Sequence, residues 1–319
     1  MTESIIELLR KDMRGEHQAI IQYLRHAYAM GEGEVACEVE AIAREEMRHL
    51  DWLADLIVEL GGDPTMERDP VDMSPGAPAE QLLKDVDLEQ VAIDQYRAHI
   101  DAIDHPKVRR ILSRILHDEL VHKGQFGDLA EEAGAEHAAE AEEAERTELE
   151  AGPAPRTAAI LGHGIRHEYT VVLQYLYHSF VSPDKEIAEE LSNAAINEMQ
   201  HMGWLSEEVA EGGGDPDMSH GDLVLTRDHR EMLEANIAVE REVTHDYTEQ
   251  IPELDDPGLQ SLLERIRDHE IHHVQAFQEL LEEVTEEESG EEPAPPNEAP
   301  EAPREAAPRR APSVGSLKG

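Results

Sequence analysis

The chain has 319 residues, 39% of them hydrophobic, which is enough to bury a sizeable core and suits two ordinary domains better than one. Its formal net charge of −45 argues against a nucleic-acid or anionic-membrane partner, because every phosphate would meet a repulsive field. Cys37 is the single cysteine, so an intrachain disulfide and any CxxC pair for a zinc ribbon or a rubredoxin-type iron are excluded. An acidic surface suits cations as partners; good hydration in a salty cytoplasm is the competing reading of the charge.

The N-terminus, MTESIIELLRKDMRGEH, carries acids from its third residue and has no basic n-region. No apolar run approaches the roughly 18 residues of a membrane span. A soluble, unsecreted protein of a reducing cytoplasm is expected.

Helical spacing begins at once. Apolar steps of three and four predict a first helix through Met13, Glu16, Ile20, Tyr23 and Ala27, and a second through Val39, Ile42, Glu46, His49, Leu53 and Leu56, with Gly31 and Gly33 as breakers between them. The stretch from Gly61 to about Ala79, rich in Gly, Pro and Asp, is too long for an interhelical turn and predicts a crossover. A third helix follows through Val86, Glu89, Ile93, Tyr96 and Ile100, and after the breaker at His105 a fourth through Val108, Leu112, Ile115, Glu119, His122, Phe126 and Leu129. These are the seams of a helical bundle.

The scheme is then written again. EMRHLDW at Glu46 returns as EMQHMGW at Glu198, and EHQAIIQYLRHAY at Glu16 aligns with EYTVVLQYLYHSF at Glu168, both 152 residues on. Further along the offset is 151, pairing Tyr96 with Tyr247 and His122 with His273, as one deletion would produce. The expected organisation is all-α: a four-helix bundle over 1–132, an acidic Glu/Ala linker over 133–155, a second bundle over 156–283, a disordered Pro/Glu/Ala-rich spacer over 284–312 and a terminal peptide over 313–319.

Chemistry enters where polar residues occupy seam positions. Glu16, Glu46, His49, Glu89, Glu119 and His122, and in the second unit Glu168, Glu198, His201, Glu240, Glu270 and His273, stand where a bundle calls for Leu or Ile. Four buried carboxylates per unit repel one another unless something positive lies between them. Each unit reads as a lone Glu, a Glu-x-x-His, a lone Glu and a Glu-x-x-His, with 30 residues from each lone Glu to its Glu-x-x-His. The i, i+3 step puts Glu and His on one face. That is the ligand pattern stated for di-iron and di-manganese carboxylate bundles. A single Glu-x-x-His in a charged helix reads as a solvated face; four, on seams and duplicated, do not.

With these residues in place, each unit resembles the ferritin-like superfamily, nearest to bacterioferritin and its non-haem relatives. The resemblance implies two irons per bundle. Glu16 and His49 would be the terminal ligands of one and Glu89 and His122 of the other, with Glu46 and Glu119 as bridges; Glu168, His201, Glu240 and His273, bridged by Glu198 and Glu270, would follow in the second unit. Manganese remains a candidate metal. The resemblance also points to Met47 and Met199 as haem ligands, although methionine as a filler at a helical interface is the stronger reading. Tyr23, Tyr96, Tyr175 and Tyr247, each seven residues after a lone Glu, are expected either to brace ligand carboxylates or simply to pack. Trp52 and Trp204 are expected to pack.

Two departures narrow the chemistry. Rubrerythrins carry another glutamate three residues after the third-helix ligand, where this chain has Ala92 and Val243. A ferritin cage is not expected either, because a linker and a long tail stand where the short fifth helix would be. The ending SVGSLKG resembles the cargo-loading peptides of proteins packaged in encapsulin shells, implying that Val314, Gly315, Ser316, Leu317 and Lys318 bind a shell protein. The expected function is a ferroxidase that oxidises Fe(II) with O2 or H2O2 for iron storage and detoxification, as cytoplasmic cargo of an encapsulin nanocompartment. The alternatives are peroxide removal, rubrerythrin-like or di-manganese, and a non-catalytic packaged iron buffer. Further assembly into a homo-oligomer is left open.

Overall fold

A computed structural model of the chain describes residues 2–31, 33–74, 76–143 and 154–289, with side chains to 135 in the fourth helix and to 286 in the last. Eight α-helices and no strand are found among the described residues: α1 (Thr2–Met30), α2 (Glu34–Glu59), α3 (Pro78–Ala102), α4 (Pro106–Glu143), α5 (Pro155–Val181), α6 (Lys185–Glu211), α7 (His229–Gln250) and α8 (Pro257–Ser289). A single 3₁₀ turn, Ile251–Glu253, precedes α8. No described helix is long and apolar enough to cross a membrane.

Local chemistry explains the boundaries. Four helices open on proline, whose missing N–H costs nothing in the first turn. The Asp184 side chain caps α6 by accepting from the N–H groups of Glu186 and Ile187, and Asp228 caps α7 by accepting from Glu231. At the far ends of α2 and α6 stand Gly61 and Gly213, at φ 81° and 74°, a backbone state that side chains disfavour. There Gly61 N–H donates to Val58 O and Gly62 N–H to Ile57 O, both at 2.9 Å, closing the carbonyls that each helix leaves over. Two helices run on into the stretches expected as linker and spacer: α4 to Glu143 and α8 to Ser289. Their Glu- and Ala-rich sequences favour helix without needing a core to pack on. The remainder of the linker, most of the spacer and the terminal peptide lie outside the described residues.

Each unit is a bundle in which α1 packs on α2 and α3, and α4 on α2 and α3; α5 to α8 repeat the plan. Leu9, Met13, Val39, Leu53, Leu112, Ile115 and Phe126 in one unit, and Ile165, Tyr175, Leu191, Leu263, Ile266 and Phe277 in the other, are fully buried. A hydrocarbon side chain so buried contributes about 1.5–3 kcal/mol. The crossover after α2 runs beside α1 in the same direction. Arg14 O accepts from Asp69 N–H at 3.3 Å, the Gln18 amide donates to Pro70 O at 2.6 Å and Gln22 Oε1 accepts from Asp72 N–H at 3.4 Å.

The two bundles meet through α1 with α6, α2 with α5, and both crossovers. Arg25 grips Asp215 with two hydrogen bonds, at 3.1 and 3.0 Å, and Arg68 donates to Met218 O at 2.8 Å. Asp63, the repeat counterpart of Asp215, is reached in turn by Tyr177, the counterpart of Arg25, and by Arg227. This mutual arrangement is that of a two-fold dimer interface written within one chain.

Candidate metal centres

The register of the helices decides which polar seam residues meet. Contacts from Glu16 to Tyr96 and from Tyr23 to Glu89 make α1 and α3 antiparallel. Contacts from Glu46 to His122 and from His49 to Glu119 do the same for α2 and α4. One pair of helices therefore brings two lone glutamates to mid-bundle, and the other brings two Glu-x-x-His pairs to the same level. All twelve residues singled out from the sequence are buried, at 4% exposure or less.

They fall into two overlapping sets in each unit. Ligand atoms of Glu16, Glu46, His49 and Glu119 lie within 4.8 Å of one another, as do those of Glu46, Glu89, Glu119 and His122. Glu168, Glu198, His201 and Glu270, and Glu198, Glu240, Glu270 and His273, form the second pair of sets. Glu46 and Glu119 belong to both sets of the first unit, as Glu198 and Glu270 do in the second. Every histidine turns Nδ1 inward: His49 Nδ1 lies 2.7 Å from Glu46 and 3.0 Å from Glu119, and His201 Nδ1 lies 2.7 Å from Glu198 and 3.0 Å from Glu270. His122 Nδ1 is 2.8 Å from Glu46, and His273 Nδ1 is 2.5 Å from Glu198.

Electrostatics show what such a cluster costs without cations. Burial, then the charges of Glu16 and Glu89, pushes Glu46 up to about 7. Burial and the charges of Glu46 and Glu16 push Glu119 up to about 8. Burial also raises Glu89 and Glu240 well above the carboxylate range, each helped by a neighbouring carboxylate. The histidines move the other way from buried imidazoles in general: burial pulls them down, but their carboxylate partners outweigh it. His122 is held up to about 9 and His273 up to about 10, and His49 and His201 are raised as well. Protons thus occupy the place of cations. Glu89 Oε2 and Glu240 Oε2 have no hydrogen-bond partner although buried, and Glu46 Oε1, Glu119 Oε1, Glu198 Oε1 and Glu270 Oε1 have only the histidine Nδ1 atoms beside them. Buried polar atoms are rarely left so, and four carboxylates with two imidazoles match a pair of divalent cations in charge and donor type.

The four tyrosines touch the carboxylates. Tyr23 donates to Glu89 at 2.6 Å, Tyr96 to Glu16, Tyr175 to Glu240 and Tyr247 to Glu168. Each bonds the lone Glu of the opposite helix rather than the one seven residues before it, because α1 and α3 run antiparallel. Burial and adjacent carboxylates push all four phenols well above their usual range, so they remain donors. Trp52 and Trp204 stand beside His49 and His201, with ring centroids 5.7 and 5.5 Å away, and Arg265 lies 3.6 Å over Trp204. Met47 and Met199 are partly buried on α2 and α6.

Residues that the sequence reading missed lie behind the histidines. His122 Nε2–H donates to Glu45 at 2.9 Å, and His49 Nε2 faces Asp118 at 3.6 Å. His201 Nε2 instead meets His269 Nδ1 at 2.9 Å. A signal was present, since Glu45 and Asp118 each directly precede a shared glutamate. In the first unit a narrow cavity of about 50 Å³ between α1 and α3, lined by Asp12, Gln95 and Val91, reaches Glu16 and Glu119.

The domain family that the chain matches agrees with the duplication. A family model described as the Ferritin-like domain matches the chain twice, over residues 6–133 and 158–286. A bacterioferritin of Desulfovibrio desulfuricans (strain ATCC 27774 / DSM 6949 / MB) is 31% identical over 124 residues, 37% of this chain and 69% of that protein. Among solved structures, the Desulfovibrio desulfuricans bacterioferritin, whose diiron site was captured in different catalytic states, aligns at 29% identity over 41% of this chain and 80% of that one, with a TM-score of 0.39. Mycobacterium tuberculosis bacterioferritin BfrA aligns at 23% identity over 42% and 89%, with a TM-score of 0.40.

Proposed function

The chain belongs to the ferritin-like domain family, with two copies of the domain in tandem, and from that membership we propose that it is a ferroxidase with one di-iron carboxylate centre in each bundle. The observation that carries the reading is the sharing of Glu46 and Glu119, and of Glu198 and Glu270, between two adjacent four-residue ligand sets. Shared carboxylates between two sets are what a pair of neighbouring cations needs, and a single-ion site has no use for them.

Ferrous iron is the substrate. Glu16 with His49, and Glu89 with His122, each hold one ion, and Glu46 and Glu119 span both; Glu168 with His201, and Glu240 with His273, repeat this around Glu198 and Glu270. Two ferrous ions together give up two electrons, which reduce O2 to H2O2 or H2O2 to water. The carboxylate-rich setting favours the ferric product, whose extra positive charge it neutralises. The tyrosine hydroxyls fix the orientation of the lone glutamates, and the protons held at the histidines and at Glu46 and Glu119 leave when iron enters.

The chain would work as cargo, with Val314 to Lys318 docked on an encapsulin shell that receives the ferric product. That part rests on the resemblance of the terminal peptide alone. Peroxide removal by the same ligands with manganese, and passive iron buffering, are the rival readings.

The test is an anaerobic ferrous titration of metal-free protein followed by oxygen. Saturation at four irons per chain, with fast oxidation abolished by Glu46→Ala combined with Glu198→Ala, is the expected result. Absence of saturable binding, or oxidation no faster than in buffer, would overturn it.

A further inference from the structure

The twelve ligands are the same in both units, but what surrounds them is not. In the first unit a carboxylate stands behind each histidine: Glu45 accepts from His122 Nε2 at 2.9 Å, and Asp118 faces His49 Nε2 at 3.6 Å. The repeat places Asn197 where Glu45 stands and His269 where Asp118 stands. His201 Nε2 accordingly meets an imidazole nitrogen of His269 at 2.9 Å instead of a carboxylate. A carboxylate behind a ligating imidazole strengthens it as a donor to a metal, whereas a neutral acceptor does so far less.

Two further positions differ in the same sense. Asp12, one turn before Glu16, is buried with His99 Nδ1 at 2.7 Å; its counterpart is Gly164, and that of His99 is Gln250. Asp85, one turn before Glu89, is buried with His26 Nδ1 at 2.8 Å; in the second unit the histidine persists as His178, but the acid has become Asn236. Gly164 is no simple vacancy for an acid. A Cβ there would lie 2.7 Å from Leu205 Cδ1 and 3.0 Å from the Tyr247 hydroxyl, so the second unit has closed on that space. At all four positions, then, the first unit has an acid and the second has none.

We propose that the two centres are unequal by construction, the one in α1–α4 binding divalent metal more tightly than the one in α5–α8, with Glu45 and Asp118 as the positioning residues that set the difference. The proposal rests on the reading of both ligand sets as metal centres. Its consequence is ordered filling. The first unit captures metal at low concentration, and the second loads only when the first is full, which gives one chain a wider working range than two identical sites would.

The experiment is an air-free titration of full-length, metal-free protein with Co(II), followed by its visible absorption, which reports coordination and needs no turnover. Two phases are expected, each of two metals per chain, with midpoints about 10–100-fold apart. Glu46→Ala should remove the tighter phase; removal of the weaker one instead would overturn the assignment. Asn197→Glu with His269→Asp should draw the weaker phase towards the tighter one, a gain in affinity that a merely structural change would not produce. Glu45→Gln with Asp118→Asn should weaken the tighter phase in the otherwise native chain, with helical circular dichroism unchanged. A single phase of four metals in the native chain, or exchanged acids that leave both midpoints where they were, would overturn the inequality while leaving the metal centres standing. No saturable binding at all would overturn the metal reading itself, and the inequality with it.

Discussion

Each lone glutamate is held by a hydroxyl from another helix. Tyr96, on α3, donates to Glu16, on α1, and Tyr23 on α1 returns the bond to Glu89 on α3. Partners of this kind set the orientation of a ligand, so Tyr96→Phe should weaken metal binding in the first unit about tenfold while leaving the second unit's phase unchanged, as read by metal titration. Equal weakening in both units would contradict it. Protonation is also legible at this scale. Glu46 and Glu119 are held up to about 7 and about 8 from an ordinary 4.5, and His122 and His273 up to about 9 and about 10 from 6.5. Between those limits the folded, metal-free protein binds more protons than the unfolded chain, so raising the pH removes stability. The melting temperature of metal-free protein should therefore fall as pH rises from about 6 to about 9, and metal affinity should rise over the same range as protons are displaced. A flat or rising melting curve would refute the first part. The buried carboxylates and histidines that come together could be read from the sequence because a charged residue on an apolar seam is conspicuous. Their tyrosine partners could be nominated but not paired, because the pairing depends on helix direction.

At the level of elements, the period of three and four located the helices, and glycine and proline located their ends. Helix continues past the last apolar position in α4, to Glu143, and in α8, to Ser289, since a Glu/Ala helix carries no record of a partner. Gly164 on α5 sits under Leu205 of α6 and Tyr247 of α7, and a Cβ there would come to 2.7 Å of Leu205 Cδ1. Gly164→Ala should destabilise the protein by about 1–3 kcal/mol through overpacking, in spite of alanine's better helix propensity, as measured by denaturant unfolding. Stabilisation would mean that α5 and α6 can part at no cost. The counterpart position in α1 holds Asp12, buried against His99, so the same site in the repeat is polar in one unit and bare in the other.

Across the whole molecule, the units face each other through α1, α2, α5 and α6, with the crossovers closing the rim. His17 is buried there, its Nδ1 directed at Glu67 O at 3.3 Å, so that nitrogen carries the proton and Nε2 accepts from the Tyr169 hydroxyl at 2.6 Å. Burial pushes His17 down to about 3, which keeps it neutral and the bond intact at any ordinary pH. His17 and Tyr169 are themselves repeat counterparts, so a position that would face its own copy in a symmetric dimer has been specialised into donor and acceptor. Beyond the bundles, removal of 313–319 should abolish copurification with a shell protein while leaving metal titration unchanged; retained copurification would remove the cargo role and nothing else. The sequence by itself determined the all-α class, the duplication and the twelve polar positions on the seams, because periodicity and misplaced charge are local properties written residue by residue. Only the tertiary structure decided which carboxylates are shared, which tyrosine serves which glutamate, and that acids stand behind the histidines of one unit alone. Those follow from helix direction and register, which bring together residues some 60 to 80 positions apart and which no local pattern records.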